Sequence, residues 1–156
     1  MTESPNFRIL VVCGPGCCSG CEECFGEGIG CHADPCTCNN TRRVLVFGGR
    51  DFHDSAKMEA VLRKELKRGD TVVHGGARGA DALAGDVAGR VLGYKVEVHQ
   101  ADWHRYGKSA GPIRNQRMLD SGIDYAIGFP GGKGTDDMAG RLVKAGVRLL
   151  RVESDD

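Results

Sequence analysis

No cysteine follows Cys38 in this chain of 156 residues, although all eight lie between Cys13 and Cys38. Long apolar runs are missing too. Nothing approaches the ~20 consecutive apolar residues that a membrane-spanning helix needs. Phe7–Val12 is too short for a secretory leader and is interrupted by Arg8. Net charge is absent as well: Lys+Arg and Asp+Glu both number 21. That removes a chain-wide basic field as the driver of binding to nucleic acid or anionic membrane. Aromatic residues make up 6% of the chain, with a single Trp at position 103. The dinucleotide fingerprint G-x-G-x-x-G does not occur at any strand end, so no NAD(P) cofactor is expected. These absences describe a soluble, cytoplasmic protein with no membrane partner.

What is present divides into two pieces. Residues 1–41 hold all the cysteines and carry Glu3, Glu22, Glu23, Glu27 and Asp34 against Arg8 alone. Because the whole chain is neutral, residues 42–156 carry the compensating positive excess. The polar trio Asn39-Asn40-Thr41 suits the boundary. The first piece has too few aliphatic residues for a core of its own. Its cysteines run in the pattern C-x3-C-C-x2-C-x2-C-x6-C-H-x3-C-x-C. Cys18, Cys21 and Cys24 form overlapping C-x2-C pairs, the chelate spacing that tetrahedral zinc favours. With Cys13, Cys17, Cys31, His32, Cys36 and Cys38 there are donors for two four-ligand sites or one shared cluster. A reducing compartment favours structural zinc over disulfides, with an iron–sulfur cluster as the lesser metal alternative.

The second piece alternates short apolar runs with helical patterns. Val44–Phe47, Thr71–His74, Tyr94–Val98, Tyr125–Phe129 and Val147–Val152 read as strands. Between the first two, Asp54 or Ser55 suits a helix cap, Met58, Val61, Leu62 and Leu66 the buried face, and Gly69 the stop. A helix over about residues 80–92 is expected to bury Leu83, Val87 and Val91, with Gly85 and Gly89 packed closely on the sheet. Pro112 suits the first turn of a helix to about Asp120. Thr135 suits the cap of the last, with Met138, Leu142 and Val143 inward. Such alternation predicts a Rossmann-like, three-layer α/β domain on a parallel sheet.

Three glycine-rich loops come after strands: Gly48-Gly49-Arg50-Asp51, Gly75–Asp81, and Pro130–Asp137. In a parallel sheet all three emerge at the carboxyl edge, where open α/β sheets bind ligands. Two run straight into helix N-termini, whose free N–H groups attract anions, phosphate above all. Arg50, Arg78, Lys108, Arg114 and Lys133 lie in or near these loops. A single such loop is more often a plain turn; three at equivalent positions favour phosphate. Asp136 and Asp137 complement a helix dipole, or face sugar hydroxyls. Trp103 is either a base-stacking platform or a plug. His74 and His104 are proton carriers only if they are not structural. Tyr106-Gly107-Lys108-Ser109 echoes the end of a Walker A motif, but Asp102 holds the place of its first glycine.

Val44–Gly49 with Arg50-Asp51, His74–Asp81, Asp102-Trp103, Gly111–Asn115, and Phe129–Thr135 with Asp137-Met138 closely resemble the YspA-type, cpYpsA-related SLOG family, over about residues 43–152. The resemblance implies a Rossmann-like SLOG fold that binds or processes nucleotides or ADP-ribose-like derivatives, in bacteria or phages. If phage-encoded, the protein works in the host cytoplasm. The loops and their neighbours supply the candidate ligand residues: Gly48, Gly49, Arg50, Gly75, Gly76, Arg78, Gly79, Asp81, Trp103, Lys108, Arg114, Asn115, Gly131, Gly132, Gly134 and Thr135. The wider group includes LOG-type phosphoribohydrolases, with signature P-G-G-x-G-T-x-x-E and an upstream Arg. Pro130–Thr135 match that loop and Arg114 is similar to that Arg, whereas the Glu position is Met138 and its neighbour is Asp137. The implied alternatives are an N-glycosidase using Arg114 and Asp137, and a module for single-stranded DNA like the DNA-processing protein A group. A homodimer is implied by analogy with LOG-type relatives.

Overall fold

The structure, a computed structural model, describes residues 42–154. Five strands form one parallel sheet: β1 (Arg43–Phe47), β2 (Thr71–His74), β3 (Lys95–Val98), β4 (Tyr125–Gly128) and β5 (Arg148–Arg151), in the order β3-β2-β1-β4-β5. The registers pair Leu45 with Val73 on one side and with Ala126 on the other. The central strands are apolar on both faces, as a sheet covered on both sides requires. Along β1, Val44 and Val46 enter one core while Leu45 and Phe47 enter the other.

The helices supply the covering layers. On one face lie α1 (Ser55–Glu65), α2 (Ala80–Asp86) and the turn that continues α2, bringing Met58, Leu62, Ala84, Val87 and Ala88 onto Val44, Val46 and Val72. A short helix α3 (Trp103–Tyr106) and a 3-10 turn at Gly107–Ser109 lead from β3 to the other face. There lie α4 (Ala110–Asp120) and α5 (Lys133–Lys144), bringing Met118, Met138, Ala139 and Leu142 onto Leu45, Phe47 and Val73. From β1 the chain winds outward through β2 to β3 with helices on one face. It then returns to β4 on the far side of β1 and winds outward to β5 with α5 on the other face. Right-handed crossovers require that change of face, and it leaves a crevice between β1 and β4 at the carboxyl edge.

Local chemistry explains most boundaries. Asp54 caps α1 by accepting from the Lys57 amide at 2.9 Å. That helix ends at Leu66, which is already extended, so Gly69 serves the next turn at φ 86° rather than the helix stop. Two further expectations are corrected. The helix over residues 80–92 does not stay α-helical: from Val87 to Val91 it widens into a π turn, closed by the Leu92 amide on the Val87 carbonyl at 2.9 Å. The wider turn rotates the residues at its end, so Val91 is 51% exposed and Ala88 takes the buried place. In α5 the cap is Gly132, not Thr135, because the helix starts three residues earlier. The apolar stripe is then Met138, Ala139 and Leu142, and Val143 faces outward at 68% exposure. The close packing expected of Gly85 is present: a Cβ there would sit 2.6 Å from His74 Nε2.

Candidate functional site

The three glycine-rich loops meet at the carboxyl edge and are tied to one another by backbone. The Gly49 amide donates to the Pro130 carbonyl at 2.9 Å, and the Ala80 amide donates to the Gly49 carbonyl at 3.0 Å. These approaches need glycine. A Cβ on Gly131 would stand 2.1 Å from Thr135 Oγ1, and one on Gly79 (φ 81°) would stand 2.4 Å from the Arg50 backbone. The β1 loop is thus held between the other two.

A cavity of about 510 Å³ opens over the β1–β4 crevice. Its walls include Gly48, Gly49, Arg50, Asp81, Trp103, Arg114, Asn115, Gly132, Gly134, Thr135 and Asp137, all singled out in the sequence. A neighbouring cavity of about 630 Å³ is lined by Gly75, Gly76 and Arg78, and shares Arg50, Ala77, Trp103 and Arg114 with the first. Gly131 borders a third, between the β1 and β4 loops. Gly79 lines none of these and acts as a spacer under Arg50. Lys108 and His104 are exposed and stand apart from all three. Sequence reasoning gave no ligand role to Pro112, Met118 or Met138, which also line the first cavity. Apolar side chains carry no chemical signal that separates a cavity wall from a core.

The β2 loop is already committed internally. Asp81, 4% exposed, accepts from the Gly75 amide at 2.9 Å and also from the amides of Ala77 and Gly48. Gly76 donates its amide to His74 Nδ1 at 3.1 Å. Amides that the sequence suggested for phosphate therefore face a carboxylate and an imidazole. Burial pushes the Asp81 carboxyl up, against the pull of Arg114 and those amides. Burial, helped by Arg114, pushes His74 down, so its ring is neutral, with Nδ1 accepting and the proton on Nε2. His74 is thus a strut, and Asp81 braces two loops from below.

Arg114 links the parts. Its Nη1 donates to the Gly75 carbonyl and lies 3.9 Å from Asp81, and its Nε donates to Asn115 Oδ1 at 3.1 Å. Burial lowers its pKa, Asp81 opposes that, and the like charge of Arg50 adds to it. Asn115 Nδ2 in turn donates to Asp137 at 3.0 Å, and Arg141 donates to the same oxygen at 2.8 Å. The Arg141 hydrogen bond holds Asp137 below the usual carboxylate range, with Asn115 assisting against desolvation. Met138, one residue on, is buried in the core and also borders the cavity.

Among the described residues no buried side-chain polar atom lacks a partner. What the site offers a ligand is therefore at its surface. The N-terminus of α5 has no side-chain cap, and Gly132, Lys133, Gly134 and Thr135 line the cavity there. Arg50 rests its guanidinium 5.5 Å from the Trp103 ring centroid. The N-terminus of α2, by contrast, is closed by the Gly49 carbonyl. The candidate metal ligands Cys13, Cys17, Cys18, Cys21, Cys24, Cys31, His32, Cys36 and Cys38 lie outside the described residues. Among the described residues no helix is long and apolar enough to cross a membrane.

A family model for the YspA, cpYpsA-related SLOG family matches residues 42–106, from β1 through α3. The Gene 61 protein of Mycobacterium phage D29 is 42% identical over 118 residues, covering 70% of this chain and 94% of that protein. Among solved structures, DNA processing protein A from Streptococcus pneumoniae aligns at 18% identity with a TM-score of 0.43. That alignment covers 70% of this chain and 58% of the other. With the motif-bearing loops in place and so close a relative matched over nearly its full length, the chain belongs to the YspA, cpYpsA-related SLOG family.

Proposed function

We propose that this protein binds a phosphorylated nucleoside or a related nucleotide derivative in the β1–β4 cavity, with the phosphate at the N-terminus of α5. The observation that carries this reading is that first turn: uncapped by any side chain, lined by Gly132–Thr135, and faced by Lys133, Arg50 and Arg114. Unpaired helix amides, the helix dipole and guanidinium groups within the same cavity together favour an anion over water. The β2 loop contributes shape rather than amides. Asp137, on the cavity wall, would hold a sugar hydroxyl, with Asn115 bracing it.

Calorimetry against nucleoside monophosphates and ADP-ribose tests this. Lys133→Ala removes an exposed charge from the cavity rim, so affinity should fall by about 3- to 10-fold with the melting temperature unchanged. A panel in which no phosphorylated nucleoside gives heat overturns the reading.

A second reading rests on the state of Asp137. An ionised carboxylate on the cavity wall is the group that stabilises an oxocarbenium-like transition state in glycosidic cleavage. Under it, the protein releases free base from nucleoside monophosphates, and Asp137→Asn lowers that rate by 100-fold or more, on the order of 3 kcal/mol. Release that is unchanged in the variant removes Asp137 from the chemistry. Binding of single-stranded DNA is a separate outcome, read by gel shift at low salt.

A further inference from the structure

We propose that Trp103 is the base platform of this site, covered by Arg50 in the free protein and uncovered when Arg50 turns to the ligand's phosphate. The proposal rests on the nucleotide reading above and specifies what the site recognises: an aromatic base together with an anion, not a sugar phosphate alone.

Four observations carry it. First, Trp103 lines both of the neighbouring cavities at the carboxyl edge, so a ligand in either one meets it. Second, the indole is 49% exposed, which is unusual for the largest apolar side chain unless something covers it in use. Third, it is firmly mounted. Asp102 caps α3 by accepting from the Arg105 amide at 3.0 Å, and the ring edge lies against the start of α4, where a Cβ on Gly111 would be in ordinary contact with Trp103 Cη2 at 3.5 Å. Fourth, the guanidinium of Arg50 sits over the ring at 5.5 Å, and among the described residues no carboxylate pairs with it.

The energetics favour the exchange. A guanidinium on an exposed indole is held only weakly, whereas a charge-assisted hydrogen bond to phosphate is stronger. Arg50 also lies close enough to Arg114 for the two like charges to disfavour each other, and an anion between them relieves that. Moving Arg50 to the phosphate then bares the flat face on which a base stacks, so one side chain couples the two halves of recognition.

Trp103 is the only Trp of the chain, so its fluorescence reports this face alone. The experiment titrates the full chain with the four ribonucleoside 5′-monophosphates and with ribose 5-phosphate, monitoring heat and fluorescence together. The expected result is quenching by nucleotides as the base stacks, only the change from Arg50 leaving the ring with ribose 5-phosphate, and an affinity at least about 10-fold weaker for the sugar phosphate. Trp103→Ala should bring nucleotides down to the affinity of ribose 5-phosphate, and Trp103→Phe should restore part of the difference. Arg50→Ala should weaken both probes. Heat with both probes at equal affinity, unmoved by Trp103→Ala, overturns the platform and leaves phosphate binding standing. No heat with any probe overturns the nucleotide reading, and the platform with it.

Discussion

Single atoms decide what each glycine in the loops is for. Gly131 faces Thr135 Oγ1 and the Gly49 backbone amide, with Cβ distances of 2.1 and 2.5 Å, whereas a Cβ on Gly134 meets nothing within 4 Å. Gly131→Ala should therefore destabilise the protein by about 1–3 kcal/mol, because one of the obstructing atoms is backbone and cannot rotate away. Gly134→Ala, inside α5, should leave stability unchanged or raise it by up to about 1 kcal/mol. Thermal melts of the pair check this, and equal losses would show that the loop tolerates no side chain anywhere. In the sequence the two glycines are equivalent members of one motif; only the partner opposite each separates them. The same holds for Asp81, which reads as a ligand group and is in fact buried among the amides of Gly48, Gly75 and Ala77.

At the scale of elements, the helices show how small a shift misplaces a side chain. Starting α5 at Lys133 puts Leu142 in the core and Val143 at 68% exposure. Leu142→Ala should cost about 2–5 kcal/mol, and Val143→Lys should stay within about 0.5 kcal/mol. Denaturant unfolding of both variants checks this; a large loss in Val143→Lys would mean that another surface covers that face. The π turn at Val87–Val91 does the same to Val91. Sequence periodicity assumes 3.6 residues per turn throughout, so a wider turn is invisible to it.

Across the whole molecule, one cluster crosses the sheet from the amino end of β1 to β3. Arg43 on β1 donates twice to Glu97 on β3, at 2.6 and 2.8 Å, and also to Ser121 and the Gly122 carbonyl beyond α4. Its amide donates to Asp124 at 2.8 Å, and His99 Nε2 lies 2.6 Å from Glu97. Arg43 first, and His99 second, lower the Glu97 carboxyl from 4.5 to about 2. A carboxyl lowered on folding stabilises the native state above its unfolded value, and that stabilisation fades as pH falls towards the folded one. The contribution should thus be complete at about pH 6 and disappear as pH drops from 4.5 to about 2. With Glu97 a third exposed, solvent screening reduces it to about 1 kcal/mol. The gap in melting temperature between the protein and Glu97→Gln should close over that range; a gap independent of pH would show that the ion pair adds nothing.

The sequence alone determined the architecture of residues 42–154: strand and helix order, the parallel sheet, and the gathering of three glycine-rich loops at one edge. These arise from local periodicity and from the handedness of crossovers, both written in neighbouring residues. Tertiary structure alone decided which of those loops still has amides to offer. Asp81 and His74 consume those of the β2 loop, while the first turn of α5 lines the cavity with no side-chain cap. A hydrogen-bond donor can be used once, and whether it has been used depends on what the fold brings opposite it. Arg43 and Glu97, 54 residues apart, meet for the same reason.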